Sequence, residues 1–199
     1  VTGPRQAGKS TLLKQLFPAR KYVSLDDPFL EEQANQNGST FMMLNQPPIT
    51  IDEAQRAPML FRYIKMRCDE SEEKGLFCLS GSQQFRLMKN VSETLAGRVS
   101  ILELPGLSLR ELQGDPCALP FLPTMEYLLE RQKTVKAPKN LWQIIHRGSY
   151  PALQDPELEW AAFYADYVRT YIERDVRELS AVHDLDAFRR FMVAAAART

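Results

Sequence analysis

What this 199-residue sequence lacks narrows it quickly. It has no apolar run near the roughly 18 residues that a membrane-spanning helix needs, and no charged-then-apolar leader of the secretory kind. Its three cysteines, Cys68, Cys78 and Cys117, are odd in number and far apart, and only two histidines, His146 and His183, accompany them. Neither a disulfide framework nor a Cys/His metal site is written into such spacing. A reduced, cytoplasmic protein is the expectation, with no membrane partner. Net charge is lacking as well: 25 Lys and Arg balance 25 Asp and Glu, so no overall positive field argues for nucleic acid. Internal repeats and low-complexity tracts are also missing, and a chain of this length can bury a core of its own.

What is there begins at the third residue. Gly3-Pro4-Arg5-Gln6-Ala7-Gly8-Lys9-Ser10 fits the pattern G-x-x-x-x-G-K-[ST]. Glycines in that pattern let the backbone curl until several N–H groups point inward at phosphate oxygens, at the positive end of the helix that follows. The candidate nucleotide-binding residues are therefore Gly3, Pro4, Arg5, Gln6, Ala7, Gly8, Lys9, Ser10 and Thr11. Lys9 would bridge the terminal phosphates and Ser10 would hold Mg²⁺. A helix pattern over residues 9–17, with Leu12, Leu13 and Leu16 at helical spacing and Pro18 as its stop, supplies the required context. The sequence opens on Val1, so only Val1 and Thr2 remain to form the buried strand that leads into such a loop, and most of that strand is expected upstream.

Further along, short apolar runs at 21–25, 49–51, 76–80 and 99–104 have strand character, and helical stretches at 28–45, 58–73 and 84–96 separate them. Alternation of this kind predicts an α/β fold with a parallel sheet and crossover helices. Beyond Leu112 the texture changes, because Gly114-Asp115-Pro116 is followed by Pro120 and Pro123, which suits an extended connector. We expect a core at 1–112, a connector at 113–123 and an all-helical C-terminal domain at 124–199. Within the last, Trp160, Phe163, Tyr164, Tyr167, Val168, Tyr171, Ile172 and Leu179 recur at helical intervals, and a second helix is expected over 184–198.

Three further constellations carry chemistry. Pro48-Ile49-Thr50-Ile51-Asp52-Glu53 is a short apolar strand ending in paired carboxylates. Asp52 there would bind Mg²⁺ through its water shell, while Glu53 would polarise an attacking water as general base. A glutamate in that position favours hydrolysis over phosphoryl transfer to an acceptor, and residues 85–98 show no Arg-rich acceptor lid. Ser80 and Ser82, in Ser80-Gly81-Ser82-Gln83, are both eligible to reach a terminal phosphate or the attacking water, and the same stretch would serve equally as a helix N-cap. Arg98, in Leu95-Ala96-Gly97-Arg98, would stabilise phosphate charge in its own site or a neighbour's, or else form a surface ion pair.

Together these stretches resemble one family. The segments 3–13, Ser24-Leu25-Asp26-Asp27-Pro28, Ile51-Asp52-Glu53-Ala54-Gln55, Ser80-Gly81-Ser82-Gln83 and Leu95-Ala96-Gly97-Arg98 look like the predicted AAA-type ATPases of bacteria and archaea, in the same order. In that family a C-terminal domain of uncharacterised function follows, and Gly148-Ser149-Tyr150-Pro151-Ala152-Leu153 with Tyr171-Ile172-Glu173-Arg174-Asp175-Val176 resembles its signatures. The resemblance implies an AAA-like P-loop core that binds ATP and Mg²⁺, with Lys9, Ser10, Asp52 and Glu53 in the roles given above and Ser80 or Ser82 as phosphate sensor. It also implies an arginine finger at Arg98, acting across a homo-oligomer if in trans.

The expected function is Mg²⁺-dependent ATP hydrolysis coupled to movement of the helical domain on a protein or DNA client. The competing reading is a nucleotide-gated switch that turns over rarely, with a DNA link supported only by Arg-bearing helices such as that of Arg189-Arg190. Other features read as structural. Asp26-Asp27-Pro28 suits a turn capping the next helix. Glu173 with Arg177 and Arg174 with Glu178 are spaced as i, i+4 pairs on a solvated face. The aromatic stripe from Trp160 suits a helical core better than a base-stacking platform.

Overall fold

A computed structural model of the chain describes residues 1–82, 84–114, 124–134, 136–172, 176 and 184–198. Gln83, Cys117, Glu173, Arg174, Asp175, Arg177, Glu178, Leu179 and His183, all named above, lie outside the described residues.

The chain divides into two compact units, Val1–Asp155 and Pro156–Thr199. In the first, α1 (Lys9–Leu16) leads to β1 (Lys21–Ser24), then α2 (Pro28–Gln36), α3 (Gly38–Leu44) and β2 (Ile49–Asp52). A single 3₁₀ turn (Ala54–Arg56) precedes α4 (Leu60–Asp69), β3 (Phe77–Leu79) and α5 (Gln84–Thr94). The short α6 (Leu109–Leu112), α7 (Met125–Thr134) and α8 (Leu141–Arg147) complete it, with a second 3₁₀ turn at Pro151–Gln154. The strands form one parallel sheet in the order β1-β2-β3. Lys21 pairs with Ile49 and Ser24 with Asp52 on one side of β2, and Ile49 pairs with Phe77 on the other. The observed α/β architecture is the one the alternation of elements predicts.

Helices cover the sheet because β2 has no face to give to water: Ile49, Thr50, Ile51 and Asp52 are all buried. Phe41 of α3 and Leu60, Phe61 and Ile64 of α4 pack with Leu25, Ile49, Ile51 and Leu87 into the core. The three strands run the same way, so Ser24, Asp52 and Ser80 all emerge at one edge. Open α/β sheets bind ligands outside that carboxyl edge.

Two expected elements differ. The helix expected over 28–45 is broken at Asn37, whose extended backbone (φ −141°) ends α2 and whose side chain caps α3 by accepting from the Thr40 amide at 3.0 Å. The run 99–104 is not a regular strand. Among the described residues its only ladder partner is Thr2, whose amide donates to the Leu102 carbonyl and whose carbonyl accepts from the Leu104 amide, each at 2.8 Å.

The second unit is described by helices alone. Glu159 caps α9 (Trp160–Tyr167) by accepting from the Ala161 and Ala162 amides, and the helix widens into a π turn at Val168–Ile172. Tyr164 meets Trp160 and Phe163 edge to face, with ring centroids 6.4 and 5.4 Å apart, and the three rings are half-buried, whereas the spacing predicts a buried core face. Asp184 caps α10 (Leu185–Ala196) through the Ala187 amide.

Candidate functional site

The loop before α1 owes its shape to residues that tolerate unusual backbone. Gly3 (φ +140°) runs so close to the neighbouring segment that a Cβ there would lie 2.1 Å from the Leu104 carbonyl oxygen, so a side chain has no room. Gln6 takes a left-handed φ of 62°, uncommon outside glycine. Gly8 (φ 90°) then opens the helix as its N-cap. Lys9 is buried, and its ammonium bends back to donate to the carbonyls of Gly3 and Pro4 at 2.9 and 2.7 Å. Burial lowers its pKa, while Glu53 and Asp52 nearby oppose that fall. The lysine is thus stored at the mouth of the loop on weak neutral acceptors, which an anionic ligand would outcompete.

Asp52, the last residue of β2, is the hub. Its Oδ2 accepts from the Ser10 hydroxyl at 2.7 Å and from the Tyr22 hydroxyl, and its Oδ1 accepts from the Ser80 hydroxyl and from the Glu53 amide at 3.1 Å. Burial alone would push this carboxyl up, but the donors from Ser80, Tyr22, Ser10 and the Glu53 amide outweigh it and hold the group below the usual carboxylate value. Tyr22 shifts the other way, raised first by burial and then by the Asp52 hydrogen bond, so it stays a donor.

Glu53 follows in a left-handed conformation (φ 54°), which turns the chain sharply out of the sheet. Its Oε2 accepts from the carboxamide of Gln55 and from the Ser82 hydroxyl at 3.3 Å. The loops after β2 and β3 are tied by the Ala54 amide, which donates to the Ser80 carbonyl at 3.0 Å.

Lys9, Ser10, Asp52, Glu53, Ser80 and Ser82 therefore meet at one edge of the sheet, with Ser80 on Asp52 and Ser82 on Glu53. Arg98 does not join them: its guanidinium holds both carboxylate oxygens of Asp69, the last residue of α4. Asp27 caps α2 through the Phe29 amide at 2.9 Å, and Asp26 pairs with Arg56 at the same distance. A cleft of about 620 Å³ elsewhere lies between β3 and residues 99–102, lined by Leu79, Val91, Ile101 and other apolar groups, and holds none of the six.

Sequence reasoning missed three participants. Tyr22 reaches Asp52 from the neighbouring strand, and Gln55 reaches Glu53 from the following turn. The third is Ser149 to Pro151. The Leu107 amide donates to the Ser149 carbonyl at 2.7 Å, Gly106 leaves space for the Ser149 hydroxyl, and a Cβ on Gly8 would sit 3.7 Å from the Pro151 ring. Arg147 fastens this turn by donating to the carbonyls of Leu153 and Asp155, both at 2.6 Å.

The side chains that could hold a cation here offer only oxygen: the Ser10 hydroxyl and the Asp52 carboxylate. Among the described residues no cluster of three His, Cys, Asp or Glu side chains exists that would cage a metal by itself. That fits Mg²⁺, which keeps several waters and binds through one or two protein oxygens plus phosphates.

Comparison with known proteins bears on the family. Residues 1–113 match the AAA domain family, and residues 138–199 match a domain of unknown function. Uncharacterized proteins of Mycobacterium bovis and Mycobacterium tuberculosis are each 30% identical over 184 residues, covering 90% of this chain and 36% of theirs. The chain thus spans about a third of the length of these curated relatives. No solved structure matches. Among the described residues no helix is long and apolar enough to cross a membrane. With a matched region that covers the loop, both carboxylates and both serines of the site, the chain belongs to the AAA domain family.

Proposed function

We propose that this chain binds ATP with Mg²⁺ in the loop of residues 3–11 and hydrolyses it, and that the event is passed to the helical C-terminal region. The observation that carries the reading is the contact of Ser10 with Asp52, 2.7 Å apart, with Glu53 immediately beyond it. The two groups suited to Mg²⁺ are in contact there, and a second carboxylate follows Asp52 by one residue, which supports a site beside an anion-binding loop. The chemistry that Mg²⁺ would supply when held there is neutralisation of the charge that develops on the phosphates. The loop amides and Lys9 would orient the phosphates, Ser10 and Asp52 would hold the cation, and Glu53 would take the proton of the attacking water.

Ser80 and Ser82 sit where the loop after β3 senses the same carboxylates, and they are assigned to reading the terminal phosphate. Arg98, committed to Asp69, is given no part at the nucleotide of its own chain. Coupling is assigned to residues 149–151, because the Pro151 ring lies beside Gly8 in the loop.

An isotherm for Mg²⁺·ATP with the wild type and Lys9→Ala tests the binding step. Saturable one-to-one binding, weakened at least tenfold by the substitution, is expected. Equal affinity of the two proteins would remove the loop from the reading.

A further inference from the structure

Gln55 holds a position that is costly to maintain. It is 5% exposed, on the 3₁₀ turn that follows Glu53. Its Nε2 donates to Glu53 Oε2, while its Oε1 is buried with no hydrogen-bond partner. Buried polar atoms are nearly always paired, so an unpaired one indicates that something other than stability keeps the group in place. The surroundings are shaped for it. A Cβ on Gly81 would fall 2.1 Å from Gln55 Oε1 and 3.0 Å from its Cδ, so the carboxamide occupies the space that any other residue at position 81 would fill. The Ala54 to Ser80 backbone bond fixes the width of that slot.

We infer that Gln55 is a positioning residue for the general base: its carboxamide, wedged against Gly81, orients the Glu53 carboxylate for attack on the nucleotide by water. The inference rests on the hydrolytic reading above. Gln55 and Ser82 both donate to Oε2, and among the described residues no hydrogen bond reaches Glu53 Oε1. One oxygen is anchored, and the other is left without a partner among the described residues to accept a proton. A left-handed Glu53 at the end of a strand has many alternative rotamers, and the two donors select among them. Ser82 holds its bond at 3.3 Å, a long distance, so the carboxamide is the stronger support. Binding of nucleotide is not asked of Gln55, and a residue that acts through a general base changes kcat and leaves KM alone.

The test is Gln55→Met, which keeps the side chain's length and bulk but removes both polar atoms. It is run beside Glu53→Gln and wild type, with steady-state turnover, the Kd of a fluorescent ATP analogue and thermal unfolding. Gln55→Met loses the donor to Glu53 together with an unpaired buried oxygen, so the two effects oppose and Tm should move little, where a purely structural role would lower it and leave kcat near wild type. The ATP analogue should bind within about twofold of wild type, and kcat should fall about 10- to 100-fold, the range expected for a partner that orients a catalytic group. Gln55→Asn, which keeps the carboxamide on a shorter arm, should recover part of that loss. Turnover by Gln55→Met equal to or above wild type, with Glu53→Gln inactive, would overturn this inference and leave the hydrolytic reading standing. No turnover by wild type itself would overturn both. If Gln55→Met fails to fold, Gly81→Ala decides the matter in a Gln55→Ala background. The Cβ should be tolerated once the carboxamide is gone, and a loss of folding equal to that of Gly81→Ala alone would refute the wedge.

Discussion

Ser80→Ala removes one hydroxyl and nothing else. Ser80 is fully buried, and its backbone is held independently, by its amide to the Ile51 carbonyl and its carbonyl to the Ala54 amide, each at 3.0 Å. What disappears is a donor to Asp52 Oδ1, which keeps only the Glu53 amide at 3.1 Å, while Oδ2 retains Ser10 and Tyr22. A hydrogen bond to a charged group contributes about 1.5–3 kcal/mol, and three surviving donors place the expected loss in the lower half of that range. Urea denaturation at pH 7 measures it as a shift in midpoint with an unchanged slope. Because Asp52 titrates below its ordinary value when folded, the stability it contributes is present above the unfolded carboxylate pKa of about 3.9 and is lost as pH falls through the lower folded value. The difference between wild type and Ser80→Ala should therefore hold from pH 5 to 8, as approximate limits, and fade only in acid, as pH falls through the variant's folded value and then the wild type's. In an Asp52→Asn background the same substitution should cost under about 1 kcal/mol, as for a neutral pair. A cost below about 0.5 kcal/mol at pH 7, or one equally large in the Asp52→Asn background, would refute the placement of Ser80 on a charged Asp52.

Two other outcomes are expected. Phe61→Ala empties the centre of the core beneath the sheet and should destabilise the first unit by about 3–5 kcal/mol in the same urea assay. Chelation by EDTA should abolish ATP turnover while leaving the circular dichroism spectrum and Tm unchanged, since no caged structural metal exists among the described residues. A fall in Tm on chelation would contradict that.

How much of this was legible beforehand depended on whether the information was local. The loop of residues 3–10 could be read because a phosphate cradle is built from consecutive amides and two glycines. The Asp52-Glu53 pair could be read because it ends an apolar strand. β1, β2 and β3 announced themselves as short apolar runs between helical patterns. The break at Asn37 had a local signal in Asn37-Gly38, outweighed by the helical spacing on both sides. Residues 99–104 had strand composition, but a strand forms only where a neighbour offers its ladder, and Thr2 offers one residue. Tyr22, Gln55 and Pro151 were invisible for a related reason. Tyr22 reaches Asp52 across 30 residues of chain, and Gln55 matters only through the space Gly81 leaves for it. Arg98 shows the reverse: its sequence position suits a finger, and its partner, Asp69, is set by how α4 ends beside it.

The central claim is that Glu53 is the base of a Mg²⁺-dependent ATP hydrolysis at the carboxyl edge of the sheet. Steady-state release of phosphate by wild type and Glu53→Gln, with ATP affinity measured on the same two proteins, tests it most directly. The account predicts unchanged affinity and a kcat lowered by at least about 100-fold, the scale of a general base. Turnover that survives the substitution would contradict it, and stoichiometric ATP binding without turnover in the wild type would make the chain a nucleotide-gated switch instead.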